Sequence, residues 1–163
     1  MTTGDLPTRL AIWLALSLYA SSQVARPSRT GRWLSAAGCA LFAVHVVLAF
    51  AVHYGWSHGT ALRETAAQTE ALTGVRTGSG LYVNYLFGLI WLAELWWWTR
   101  AETSYRTRPA WVEITVRVFF LFMIVNGAVV FVGWPQRWLG LALVGALLYA
   151  WRRSIWRPHS PTT

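Results

Sequence analysis

Arginine-rich segments alternate with long apolar runs along this chain, and this alternation constrains the fold more than any other feature of the sequence. The apolar runs cover about 10–25, 34–54, 81–98, 111–132 and 138–150. An apolar helix of ~20 residues matches the ~30 Å hydrocarbon core of a bilayer, and lipid offers no hydrogen-bond partner to an open strand or loop. The pattern therefore predicts an all-α fold, a transmembrane helical bundle with five spans.

The overall composition agrees with a membrane protein. Hydrophobic residues make up 55% of the 163 residues and charged residues only 12%, about half the charged fraction of a soluble domain. Because the five spans take up most of the chain, we expect residues 1–163 to form a single membrane domain. The one cysteine, Cys39, excludes an intrachain disulfide and a cysteine-based metal cluster within one chain.

The distribution of positive charge predicts the orientation in the membrane. The net charge of +8 is carried by arginine alone, and its clusters follow the first, third and fifth apolar runs, at Arg26, Arg29, Arg32, Arg100, Arg106, Arg108, Arg152, Arg153 and Arg157. Arginine-rich short loops face the cytoplasm. Five crossings then place the N-terminus outside and the C-terminus inside, in a bacterial inner membrane.

The same arginines predict which partners the protein meets. They flank the spans, where they can contact anionic headgroups on the cytoplasmic face. Because they form no continuous basic face, we expect no binding to nucleic acid.

A cleaved signal peptide is the alternative interpretation of residues 1–25. Arg9 precedes an apolar stretch that ends in the small residues Ala20, Ser21 and Ser22, a pattern typical of such peptides. Cleavage would leave every arginine cluster outside, against the charge rule. An uncleaved first span is therefore the favoured interpretation.

Tryptophan supports the same layout, since indole prefers the headgroup level of a bilayer. Eleven of the 12 tryptophans lie near predicted span ends, the outer ones being Trp13, Trp56, Trp134 and Trp138, and the inner ones Trp33, Trp96, Trp97, Trp98, Trp111, Trp151 and Trp156. Only Trp91 lies deep within a span.

Charged residues inside the spans form one candidate site near the cytoplasmic side. Glu94 and Arg117 lie at similar depths on the third and fourth spans, and Glu113 precedes Arg117 by four residues, the spacing that favours an ion pair on one helix. We interpret the three as a structural network. The alternative is a proton or substrate path through Glu94 and Arg117 in a small oligomeric transporter or channel.

Uncharged polar residues form a second cluster toward the outer side, at His45, Asn84, Tyr85 and Asn126. It lies beside the outer loop 55–79, whose segment 60–73 predicts a short helix with Thr60 as its cap and Gly74 at its end. We expect hydrogen bonds from this cluster to tie helix ends together, with a neutral His45 bonded to a neighbouring helix.

A divalent metal site is the alternative for the outer side. Its ligands would be His53, His58, Glu64 and Glu70, because imidazole with carboxylate suits Zn²⁺, Fe or Mn. Such a site would make the chain a metal-dependent membrane enzyme.

No motif in the sequence indicates catalysis. The chain has no phosphate-binding loop, dinucleotide fingerprint, nucleophile elbow or CxxC pair, and each of those marks a known chemistry. We therefore predict no cofactor. The favoured function is a non-catalytic accessory, assembly or binding component that uses its outward 55–85 region, with a membrane-protein partner or a second copy as its partner.

Overall fold

The structure, a computed structural model, describes residues 5–155 and the side chains of residues 6–152. All regular structure in that part of the chain is helical. Its helices are α1 (Asp5–Val24), α2 (Arg29–Val52), α3 (His58–Thr73), α4 (Ser79–Arg100), α5 (Glu102–Arg106), α6 (Ala110–Val125), continued by a π-helical segment (Asn126–Val130), and α7 (Gln136–Ile155). The predicted inner residues Trp156 and Arg157, and the side chain of Arg153, lie outside the described residues.

The five long helices overlap the five apolar runs of the sequence. Two of them, Arg29–Val52 and Ala110–Val130, are long and apolar enough to cross a membrane, with mean hydropathies of 2.2 and 1.8. The structure thus confirms the all-α fold and gives weak support for a membrane protein. The number of spans and their orientation stay predictions.

Side-chain caps explain where two helices begin. Ser28 precedes α2 and accepts a hydrogen bond from the backbone N–H of Gly31 at 3.0 Å. Ser57 precedes α3 and accepts from the N–H of Thr60 at 3.2 Å. Ser57 is therefore the cap of α3 and Thr60 is not, so the helix begins earlier than predicted. Gly74 ends it with φ 75°, a left-handed conformation that glycine adopts without strain.

The long helices form a bundle. Helix α1 packs on α2 and α7, while α4 packs on α2, α3 and α6. The core between them is rich in aromatic rings, and its largest members include Tyr19, Phe42, Phe87, Trp91, Phe120, Ile124 and Leu147. At Gly38 of α2 a Cβ atom would lie 2.9 Å from the carbonyl oxygen of Ala15. Glycine thus permits the close approach of α2 to α1.

The bundle buries a few polar side chains within its apolar core and exposes many large apolar side chains. Ser22 and Gln23 of α1 and Ser35 of α2 are buried, and Ser35 accepts a hydrogen bond from Trp91 Nε1 at 3.1 Å. The outer faces carry exposed large apolar side chains, among them Leu6, Leu10, Leu14, Val44, Val47, Leu86, Leu89, Leu92, Ile114, Val118 and Phe122. Water-soluble proteins bury such side chains and expose polar ones.

The arginine-rich segments meet at one end of the bundle, here called the basic end (residues 25–32, 98–117 and 151–152). Arg26 contacts Tyr105 and Glu113, and Gln23 accepts a hydrogen bond from Trp151 Nε1 at 3.3 Å. The opposite end, here called the α3 end, consists of residues 53–80 and 126–137. The contacts at the basic end agree with the sequence prediction that the arginine-rich segments lie together. Which side of a membrane this end faces stays a prediction.

Candidate functional site

Five charged side chains form an ion cluster at the basic end, together with Tyr105. Arg108 is its centre, because its side chain is only 3% exposed and ion-pairs with both Glu94 and Glu113. The Nη1 atom of Arg108 lies 2.5 Å from Glu94 Oε1, and Arg117 Nε lies 2.6 Å from Glu113 Oε1. Arg26 Nη1 is 3.4 Å from the same Glu113 oxygen. The cluster thereby links the C-terminal ends of α1 and α4 to the start of α6.

Tyr105 of α5 lies within this cluster. Its hydroxyl donates to Glu94 Oε2 at 3.0 Å and accepts a hydrogen bond from Arg26. Its ring stacks on Trp98 at 5.5 Å, and the guanidinium of Arg108 lies 4.3 Å from its centroid, a favourable cation–π distance. Trp98 was predicted to anchor in the headgroups, but the structure buries it against Tyr105 and Arg26.

Burial and neighbouring charges together determine the protonation states of Tyr105 and Arg108 in the cluster. Burial raises the pKa of Tyr105 above its ordinary value, with Glu94 adding to the effect and Arg26 opposing it. Burial alone would lower the pKa of Arg108, but its hydrogen bond with Glu94 and the nearby Tyr105, Glu94 and Glu113 raise it. Tyr105 is therefore neutral and Arg108 charged at physiological pH.

The predicted network of Glu94, Glu113 and Arg117 falls within this cluster. The Glu113–Arg117 pair on α6 is as expected. Glu94 pairs with Arg108 at 2.5 Å and with Arg26 at 3.8 Å, so the connection between α4 and α6 runs through an arginine that sequence reasoning assigned only to orientation. The sequence held a signal for it, since Arg108 precedes Glu113 by five residues across the start of a helix.

The space inside the ion cluster is small. The cavity that it lines measures about 10 Å³, room for about one water molecule. This packing favours the structural interpretation of Glu94 and Arg117 over a conduction path.

A much larger cavity, of about 510 Å³, lies at the α3 end. Its volume falls within the roughly 300–1,000 Å³ of small-molecule sites. Leu16, Phe42 and Phe87 of the core form its apolar floor. Helix α3 covers it with a stripe of Thr65, Thr69 and Thr73, residues spaced one helical turn apart.

The predicted outer polar cluster, His45, Asn84, Tyr85 and Asn126, lines this cavity with all four members. His45 Nδ1 lies 2.8 Å from the backbone carbonyl oxygen of Thr8 on α1. A carbonyl oxygen only accepts, so Nδ1 carries a proton, and in a neutral ring Nε2 would then be the acceptor. The prediction that His45 bonds to a neighbouring helix is confirmed. Asn126 starts the π-helical segment and donates to the carbonyl of Phe122 at 2.7 Å.

The polar part of the cavity lining carries no charge. Among the described side chains, those that line it include no carboxylate and no guanidinium. The hydroxyl of Thr69 donates to the carbonyl of Thr65 at 2.9 Å, and that of Thr73 donates to the carbonyl of Thr69 at 2.8 Å. Since its proton is committed to the backbone, the hydroxyl oxygen of Thr69 can only accept from a ligand. The hydroxyl oxygen of Thr73 already accepts from the backbone N–H of Val75 at 3.2 Å.

The structure does not bring the four predicted metal ligands together. His53 is exposed at the end of α2, and His58 Nδ1 lies 3.2 Å from Tyr85 Oη. Glu70 pairs with Arg76 at 2.9 Å, and Glu64 is exposed on α3. No group of three candidate ligands is found among the described residues, so the metal site stays a prediction without support from this geometry.

No protein-family model, curated protein or solved structure matches this chain. Its function must therefore be inferred from the cavity and the ion cluster themselves.

Proposed function

We propose that this chain is a small multi-pass integral membrane protein with five spans, formed by α1, α2, α4, α6 with its π-helical segment, and α7. The large apolar side chains exposed on the outer faces of the bundle support this proposal. Large aliphatic side chains such as Leu89 and Val118 are 64% and 60% exposed, and apolar surface on that scale is rare on soluble monomers. Lipid would cover it.

The basic end faces the cytoplasm of a bacterial inner membrane in this proposal. Its exposed arginines, Arg29, Arg100, Arg106 and Arg152, would contact anionic headgroups. Exposed indoles lie at both ends, Trp33, Trp96 and Trp111 at the basic end and Trp56, Trp134 and Trp138 at the α3 end. Two such belts are typical of membrane–water interfaces.

The function that the geometry supports best is non-catalytic binding of an apolar or amphipathic small molecule in the 510 Å³ cavity. One observation carries this proposal: an aromatic and aliphatic floor meets an uncharged polar roof within one cavity. Such a division is typical of ligand sites, in which apolar walls supply affinity and a few polar groups fix orientation. The roof belongs to the outward 55–85 region, so this region would be the functional surface.

The test compares two variants in which an alanine of α2 is replaced by tryptophan. Ala49 lines the cavity, whereas Ala51 is exposed on the outer face. In phosphatidylcholine nanodiscs, the apparent Tm is measured with a panel of decyl-chain compounds: decane, 1-decanoylglycerol and decanoate. A ligand that binds only the folded protein raises its Tm.

We expect at least one compound to raise the Tm of the wild type and of Ala51→Trp, and none to raise that of Ala49→Trp. The indole takes up a large part of the space in the latter variant, which should keep or raise its own Tm without added compound. A wild-type Tm that no compound raises, or an equal response in Ala49→Trp, would contradict the proposed function.

A further inference from the structure

We infer that the cavity takes an uncharged, hydroxyl-bearing amphiphile with a single chain, whose polar end lies beneath the threonine stripe of α3. This inference rests on the proposed function and names its ligand. Three properties of the cavity carry it: its volume, the absence of charge among its described lining residues, and the direction of its hydrogen bonds.

The volume limits the size of the ligand. A volume of about 510 Å³ is that of a site for one small molecule of drug size. A two-chain phospholipid is far larger than this. A glycerol headgroup on one chain of medium length fits.

The charge of the lining selects against anionic headgroups. A carboxylate or phosphate that enters the cavity meets no cation in its described lining, and moving an ion out of water without a paired cation is costly. The arginines of the α3 segment are engaged outside the lining: Arg63 donates to Thr60 Oγ1 at 3.1 Å, and Arg76 pairs with Glu70. An uncharged headgroup therefore matches the site better than a fatty acid or a lysophospholipid.

The hydrogen-bonding groups call for a ligand that donates protons. Thr69 offers an acceptor oxygen after its own donation to Thr65, and the neutral ring of His45 offers Nε2. Asn84 of α4, which also lines the cavity, supplies both a donor and an acceptor. Hydroxyl groups satisfy such acceptors, whereas an alkane leaves them without partners. The alkyl chain then lies on Phe42 and Phe87.

The same nanodisc panel ranks the ligands by the mole fraction of compound that gives half of the maximal rise in Tm. We expect 1-decanoylglycerol to act at a mole fraction at least tenfold lower than decane or decanoate at pH 9. Decane or decanoate acting at an equal or lower mole fraction would overturn this inference and leave the proposed function standing. If no compound acts on the wild type, both fail.

A matched pair of threonine substitutions tests where the headgroup lies. Thr69→Val removes an acceptor from the cavity, while Thr99→Val removes a threonine of α4 that bonds to its own helix in the same way but lies outside the lining. Loss of one neutral hydrogen bond should raise the half-maximal mole fraction of 1-decanoylglycerol roughly threefold to tenfold in Thr69→Val. Its response to decane, and both responses of Thr99→Val, should match the wild type.

An unchanged response of Thr69→Val to 1-decanoylglycerol would contradict the proposed position of the headgroup beneath α3. Valine is isosteric with threonine, so the variant should fold. Equal circular dichroism and an equal Tm without added compound provide the check.

Discussion

The two ends of this bundle solve the same packing problem in opposite ways. At the basic end, charged groups of both signs draw α1, α4 and α6 together and leave a cavity of about 10 Å³. At the α3 end, uncharged polar groups line a cavity of about 510 Å³ beneath a covering helix. The difference is the basis of the proposal that the ion cluster holds the fold, while the α3 end keeps space for a ligand.

The largest effect should come from Arg108, which is 3% exposed and faces two carboxylates. Arg108→Leu leaves Glu94 and Glu113 without their main cation, and breaking a buried pair in this way costs about 3–5 kcal/mol. We expect little folded protein by size-exclusion chromatography in detergent. The control is Arg106→Leu, because Arg106 is half exposed and its one ion pair with a described residue is with Glu102 at 3.6 Å. Wild-type yield from Arg108→Leu would show that the cluster does not hold the fold.

A smaller effect should separate two neighbouring residues of α6. Ile124 is buried in the core, whereas Met123 lines the large cavity. Ile124→Ala creates a void in packed surroundings and should cost about 2–5 kcal/mol. Met123→Ala should cost less than about 2 kcal/mol, because a side chain beside an existing void has fewer contacts to lose. Apparent Tm values measure both variants, and equal losses would argue that the cavity is filled by protein in solution.

The smallest effect should come from Tyr105, and it should depend on pH. Burial raises the pKa of Tyr105 in the folded state, so the stability that its neutral form contributes is present below about pH 10, the ordinary tyrosine pKa. It is lost as the pH rises above that value, since the unfolded chain ionises first. Tyr105→Phe should lower the Tm modestly at pH 8, and its difference from the wild type should shrink between pH 10 and 11. A constant difference across this range would contradict a neutral, buried Tyr105.

Local pattern predicted the helices well. A long helix overlaps each apolar run, because hydropathy and length are properties of contiguous sequence. The four residues of the outer polar cluster also proved to line one cavity, since similar depth on neighbouring helices is enough to bring them together. The start of α3 was misplaced because two candidate caps, Ser57 and Thr60, lie within one turn.

Tertiary packing decided what local pattern missed. In the sequence, the surroundings of Arg26 and Arg108 do not distinguish them from the exposed Arg29 and Arg106. Only the fold reveals which guanidinium groups turn inward. Likewise Trp98 lies at a helix end, as expected of an anchor, yet it is buried beneath Arg26. The cavity could not be predicted at all, because a void depends on how α3 lies across α4.

The most direct test of the account is the sidedness of its two ends. In a Cys39→Ala background, Ala67→Cys places a thiol on the exposed face of α3, and Thr103→Cys places one on α5 at the basic end. In intact bacterial cells, a membrane-impermeant maleimide should label Ala67→Cys, and it should label Thr103→Cys only after the membrane is permeabilised. Labelling of both thiols from outside, or of Thr103→Cys alone, would contradict the account.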